Sequence, residues 1–128
     1  MAEYFRQEVA AGPQAGDTGW LALTDDELLY RIESLPADHS LDDELVSVVR
    51  SNRHFFVRQE AAKRVRDPDR LKVFAEDRHI GQILARQMRR DGDVQYLEQL
   101  LRESRHLEVR NAAQAQLRLL ARALGFEP

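Results

Sequence analysis

Residues 52–55 read Asn-Arg-His-Phe, residues 77–80 read Asp-Arg-His-Ile, and residues 104–107 read Ser-Arg-His-Leu. Each stretch begins with a residue type that caps helices, continues with Arg-His and ends in a large apolar residue. The three copies are 25 and 27 residues apart. A second pair, Val-Arg-Gln-Glu-Ala at 57–61 and Val-Arg-Asn-Ala-Ala at 109–113, is offset by 52 residues. This internal repeat predicts a chain built from copies of one structural unit.

The stretches around these copies have the apolar spacing of amphipathic helices, and none alternates with the period of a strand. A capping box from Thr24 to Glu27 begins the first helix, and Gly125 ends the last one. The predicted helices cover residues 24–35, 41–50 and 55–66, a short stretch after Asp67-Pro68, then 79–90, 94–101 and 106–124. Their apolar stripes predict a core that includes Leu28, Ile32, Leu45, Val48, Val57, Leu71, Leu84, Leu97, Val109 and Leu120.

A pair of short helices cannot bury its apolar stripe alone, but stacked pairs share a continuous core. The Val-Arg-x-x-Ala pattern after an Asp- or Asn-containing turn resembles the HEAT-like repeats of bacterial proteins, and the short units also resemble leucine-rich-repeat variants. The resemblance covers residues 24–124. It implies an all-α fold, a short right-handed α-solenoid of about three to four stacked helix pairs. The middle copy departs from the pattern, since Gln-Ile stands at 82–83 in place of Val-Arg.

The composition changes near residue 20. Residues 11–19 hold half of the six glycines and one proline, a composition typical of linkers. We therefore expect a flexible N-terminal arm and linker over residues 1–19, a HEAT-like helical repeat domain over 20–124 and a C-terminal tail over 125–128. No apolar run approaches the roughly 18 residues of a membrane span, and the first residues lack the pattern of a signal peptide. These features predict a cytoplasmic protein outside the membrane.

The sequence contains little that favours catalysis. There is no cysteine, and none of the five serines lies in a Gly-x-Ser-x-Gly elbow. His54, His79 and His106 recur at equivalent positions, so stacked units would hold them at least about 8–10 Å apart. Zinc needs each imidazole nitrogen at about 2.0–2.1 Å, so these histidines cannot share one ion. We expect no enzymatic activity, no metal and no cofactor, and we expect each histidine to close a turn by bonding a backbone carbonyl.

The charge is uneven along the chain, with a net charge of −8 over residues 1–50, +6 over 51–90 and −1 over 91–128. Such asymmetry is typical of electrostatic partners or of contacts between segments, although solvated helix faces also vary in charge. The basic segment makes nucleic-acid binding the alternative function. Scarce aromatic residues for base stacking and a pI of about 5.8 count against it. The basic stripe would consist of Arg58, Lys63, Arg66, Arg70, Lys72, Arg86, Arg89 and Arg90.

The sequence therefore predicts a non-catalytic protein–protein interaction module, an adaptor, scaffold or regulatory domain that binds another protein with an acidic surface. An arginine in a first helical turn opposes the macrodipole by about 0.3–1 kcal/mol, and its repetition along one edge suggests contact with a partner's carboxylates. The other interpretation is that the repeated arginines were simply copied when the repeats duplicated and have no binding role. A small helical enzyme is the least favoured alternative. The predicted binding residues are Arg53, His54, Arg78, His79, Arg86, Arg89, Arg90, Arg105 and His106.

Overall fold

The computed structural model describes residues 18–35, 41–123 and 125, and every regular element in them is helical. This confirms the all-α fold class. The solenoid and its HEAT-like identity stay predictions. Within those residues the α-helices are α1 (Thr18–Leu21), α2 (Asp25–Glu33), α3 (Asp42–Arg50), α4 (Phe55–Arg64), α5 (Arg78–Gln87), α6 (Val94–Glu103) and α7 (Leu107–Ala123), and the 3-10 helices are Pro68–Phe74 and Asp91–Asp93.

The chain divides into two compact units, Met1–Arg66 and Asp67–Pro128. In the first unit, α4 packs against α3 and α2, and α1 packs against α3. In the second unit, α7 packs against both α6 and α5, and the 3-10 helix Pro68–Phe74 packs against α5. The predicted boundaries of arm, repeat domain and tail stay predictions, because residues 1–17 and 126–128 lie outside the described residues.

Local capping signals place several helix ends where the sequence predicts them. The Thr24 hydroxyl accepts the Glu27 amide at 3.2 Å, and the Glu27 carboxylate accepts the Thr24 amide at 2.9 Å. Asp67 caps the next stretch with Pro68 at its first position, although that stretch is a 3-10 helix. Gly125 follows α7 with φ +80°, a conformation that glycine adopts without steric cost.

Two predicted helix starts differ in the structure. The sequence makes Asn52 the cap of α4, but the cap is His54, whose Nδ1 accepts the amide of Phe56 at 3.1 Å. The sequence also predicts Ser40 as the cap of α3, but the helix has Leu41 at its cap position with no side-chain cap, and Ser40 lies outside the described residues. Asp77 caps α5 as predicted. The α5 helix therefore begins one residue before its histidine, His79, whereas α4 begins one residue after His54.

The apolar stripes form the core as predicted, with exceptions at the ends of helices. Phe55 and Phe56, in the first turn of α4, are 47% and 51% exposed because the buried face of α4 is the one that carries Val57, Ala61 and Ala62. Trp20, in the short helix α1, is buried. The fully buried large side chains are Leu28, Ile32, Leu45, Leu71, Ile80, Leu84, Met88, Leu97, Val48, Val49, Val57 and Val109.

Candidate functional site

An open groove of about 420 Å³ runs between α5 and α7 in the second unit. We call it the α5–α7 groove. Ala112 and Gln116 are buried at its base. The residues that line its more open walls are Gln82, Arg86, Glu108, Asn111, Ala115 and Leu119.

The groove has a defined width because α7 contacts α5 tightly at two places. A Cβ atom on Gly81 of α5 would lie 2.9 Å from the Val109 side chain and 2.9 Å from the Ala75 carbonyl oxygen, so only glycine permits this approach. Gln116 of α7 is buried, and its Nε2 donates to the Met88 carbonyl at 2.8 Å. That carbonyl belongs to the end of α5, where no intrahelical partner remains.

The charges in the groove are not neutralised by the residues around them. Within the described part of the chain, the Arg86 side chain has one polar contact, to Gln82 Oε1 at 3.4 Å. Glu108, exposed in the first turn of α7, forms no ion pair with any described residue. Leu119 is 53% exposed. The groove therefore combines a cation, a carboxylate, side-chain amides and an accessible apolar side chain.

Of the three repeated arginines, Arg53 has a role inside its own unit. Its side chain is 19% exposed and forms an ion pair with Asp25 at 2.8 Å. Its Nη2 also donates to the carbonyls of Leu21 at 2.7 Å and Leu23 at 2.5 Å. Arg53 thus holds the turn between α1 and α2, and its predicted contact with a partner would compete with these bonds.

The other repeated arginines have different surroundings. Arg78 is exposed and has no side-chain partner among residues 18–35, 41–123 and 125. Arg105 lies 3.5 Å from Glu76, and both side chains are 75% exposed, so this ion pair contributes little to stability. Arg89 is also exposed without a described partner. Equivalent positions in the sequence therefore do not share one environment.

The predicted histidines bind backbone groups in two cases. His54 accepts the amide of Phe56, and His106 Nε2 lies 2.9 Å from the backbone carbonyl of Glu76, as the sequence predicts for a histidine that closes a turn. His79 is half-buried near the start of α5. No group of three or more potential ligands among the described residues could hold a metal ion.

Arg90, another predicted binding residue, belongs to an internal ion network. Its Nη2 lies 2.8 Å from Asp93 and 2.9 Å from Asp69, which Lys72 also approaches at 3.1 Å. Hydrogen bonds from Arg90 and then Lys72 lower the pKa of Asp69. Burial alone would raise the pKa of Asp93, but the side chain and amide of Arg90 outweigh it and lower that pKa. Burial, followed by the charges of nearby acids, raises the pKa of Tyr96.

The Val-Arg-x-x-Ala motif has a structural role that the sequence did not show. Arg58 Nε donates to the Val49 carbonyl at 2.7 Å, and Arg110 Nη1 donates to the Ser104 carbonyl at 2.6 Å. Each arginine thus bonds the end of the preceding helix. The apolar positions of both copies are buried: Val57, Ala61, Val109 and Ala113.

The sequence predicted a binding residue on the α5 wall of the groove but none on the α7 wall. Arg86 is a predicted binding residue, whereas Glu108, Asn111 and Leu119 are not. The signal that could have found them is their spacing, since residues 108, 111, 115 and 119 recur every three or four positions on one face of α7. Only the packing of α5 on α7 identifies that face as a groove.

A scan against protein-family models found no match, and searches of curated proteins and of solved structures also found none. Across the described ranges, no helix is both long enough and apolar enough to span a membrane. A function for this chain is therefore argued from the chemistry of the α5–α7 groove.

Proposed function

We propose that this chain is a non-catalytic protein–protein interaction module whose binding site is the α5–α7 groove. The observation that carries the proposal is the exposed, un-neutralised guanidinium of Arg86 on the same groove as the exposed Leu119. Arginine is enriched in protein interfaces relative to the rest of the surface and often contributes much of the binding energy there.

The form of the groove favours a short segment of a partner protein. It is bounded by two helices, and elongated clefts of this kind accept extended or helical segments. The amides of Gln82 and Asn111 each offer donors and an acceptor, which can satisfy the backbone of a bound segment. Arg86 would select a carboxylate on that segment, in keeping with the expected acidic partner.

The basic stripe supports nucleic-acid binding less well, because several of its side chains have internal partners. Lys63 lies 2.9 Å from Glu60, Arg58 bonds a backbone carbonyl, and Lys72 and Arg90 share Asp69. Each of these contacts would compete with a phosphate. The protein-binding function therefore fits the described contacts better.

The test is selection of peptides from a random display library on the full chain, followed by binding of the enriched peptides to variants. We expect enriched peptides to contain an acidic residue beside a large apolar one. Arg86→Glu should weaken their binding at least about tenfold, because it replaces attraction with repulsion inside the groove. Arg102→Glu reverses an exposed arginine of α6 that does not line the groove, and it should bind normally.

Fluorescence anisotropy with labelled peptides gives both affinities. Failure to enrich any peptide, or equal binding by the Arg86→Glu and wild-type chains, would contradict the proposal. Circular dichroism of each variant shows that the helical fold is retained.

A further inference from the structure

Tyr30 is a large apolar side chain left exposed on the first unit, at 73% of its surface. It lies on α2 beside an open depression of about 450 Å³ lined by Leu23, Asp26, Glu27, Tyr30 and Arg31. We call this surface the α2 face. Aromatic residues with a polar tip are enriched at interfaces because the ring is buried there while the hydroxyl finds a partner. The exposure of Tyr30 therefore marks the α2 face as a contact surface.

The α2 face has an anion next to Tyr30. Asp26 precedes Tyr30 by four residues, so both side chains lie on one side of the helix. Asp26 is exposed and has no polar partner in the described ranges, whereas the neighbouring Glu27 is used by the capping box. The α2 face therefore presents an un-neutralised carboxylate and an aromatic ring one turn apart.

The α5–α7 groove offers the complementary groups. Arg86 can pair with the Asp26 carboxylate of another molecule. Leu119 and Ala115 can cover the Tyr30 ring, and the Asn111 amide can bond its hydroxyl. The groove thus carries a group of matching chemistry for both Asp26 and Tyr30.

A second pair of charges has the opposite sign and sets the direction of docking. Arg31 follows Tyr30, with its guanidinium 5.8 Å from the centre of the Trp20 ring, and Glu108 lies on the far helix of the groove from Arg86. Opposed pairs of this kind favour one register and disfavour the reverse one. The wider charge pattern acts in the same sense, since residues 1–50 carry net −8 and residues 51–90 carry net +6.

We propose that the occupant of the α5–α7 groove is a second copy of this chain, which inserts Tyr30 and pairs Asp26 with Arg86. This rests on the proposed function and names its partner. The two surfaces differ, so the contact is head-to-tail. Any further protein partner would then compete with self-association for the groove.

Sedimentation velocity of the full chain over a wide concentration range tests this proposal. The wild-type chain should associate as its concentration rises. Tyr30→Ala removes the ring and Arg86→Glu damages the groove, and each variant alone should stay monomeric. Both positions are exposed, and thermal unfolding checks that the variants are folded. Arg102→Glu is the matched charge control and should associate like the wild type.

Mixing the two defective variants gives the decisive result. Tyr30→Ala keeps an intact groove and Arg86→Glu keeps an intact Tyr30, so their equimolar mixture should form a one-to-one heterodimer. A wild-type chain that is monomeric at every concentration would overturn the proposal, as would a mixture that stays monomeric. Monomeric wild-type protein that still binds selected peptides through Arg86 would refute self-association alone. Failure of Arg86→Glu to alter either binding would refute the groove as the site.

Discussion

Single residues in this chain act through contacts that their local sequence does not show. Arg53 and Arg78 both precede a histidine in the repeated pattern, yet Arg53 bonds two backbone carbonyls and a carboxylate while Arg78 is exposed without a described partner. Gly81 and Gly92 differ in the same way, because only Gly81 has a neighbouring helix where its side chain would be. Each pair allows an experiment in which one member is the control.

We expect Arg53→Ala to lower the free energy of unfolding by about 1.5–3 kcal/mol, the usual contribution of hydrogen bonds to a charged group. The change leaves the Leu21 and Leu23 carbonyls without this donor. Arg78→Ala should change stability by less than about 0.5 kcal/mol, because surface substitutions rarely do more. Urea unfolding followed by circular dichroism gives both values. Equal effects at the two positions would show that the bonds of Arg53 add nothing to the fold.

Gly81→Ala should destabilise the second unit by about 1–3 kcal/mol, the typical effect of overpacking. The added methyl would lie 2.9 Å from the Val109 side chain of α7 and 2.9 Å from the Ala75 carbonyl oxygen, so α5 and α7 must shift apart and the groove must change width. Gly92→Ala meets nothing within 4 Å and should be neutral or stabilise by up to about 1 kcal/mol. Thermal unfolding of the two variants measures these changes in stability. A Gly81→Ala chain as stable as the wild type would contradict the close contact between α5 and α7.

At the scale of elements, ionic contacts join the two 3-10 helices of the second unit. Arg90 connects Asp69 of the 3-10 helix Pro68–Phe74 to Asp93 of the 3-10 helix Asp91–Asp93. Asp93 is buried, so its carboxylate depends on Arg90 for compensation. The ionic contact between these two 3-10 helices therefore depends on the ionisation of two carboxyl groups.

This network gives a direction for the effect of pH. The pKa values of Asp69 and Asp93 lie below the usual 3.8, so the unfolded chain binds protons at these sites before the folded chain does. Their contribution to stability is complete above the unfolded value and is lost as the pH falls through the lower folded values. We expect Asp93→Asn to reduce the slope of stability against pH in this acid range. Urea unfolding at a series of pH values measures this slope. An unchanged slope in the variant would show that Asp93 does not contribute to the pH dependence of stability.

At the scale of the whole molecule, the uneven charge distinguishes protein binding from nucleic-acid binding, two of the functions that the sequence left open. A nucleic-acid binder would use the net charge of +6 over residues 51–90, whereas the proposed module uses Arg86 in a groove that also exposes Leu119. Internal carboxylates neutralise Lys63, Lys72 and Arg90, which lowers the positive charge available to phosphates.

We therefore expect the chain to bind labelled duplex or single-stranded oligonucleotides only weakly at low salt. A true nucleic-acid binder would show an affinity whose logarithm falls with log salt at about −0.9 or −0.7 per phosphate contact. Anisotropy titrations at several salt concentrations measure that slope. Tight binding with a steep slope would favour the nucleic-acid function over the proposed one.

The sequence by itself determined the helices α2 to α7, the caps Thr24 and Asp77, and most of the buried stripes. Helical hydrogen bonds and capping contacts join residues within about four positions of each other. The caps formed by Thr24 with Glu27 and by Asp77 can therefore be predicted from the neighbouring sequence alone. The predicted cap of α4 was wrong because Asn52 and His54 are only two residues apart and both can cap a helix. The structure has His54 at that position. Tertiary structure alone decided the partners of Arg53, which lie 28 to 32 residues away, and the bond from Gln116 to Met88, which spans 28 residues. The α5–α7 groove belongs to this second group, because two helices become walls of one site only when they pack together.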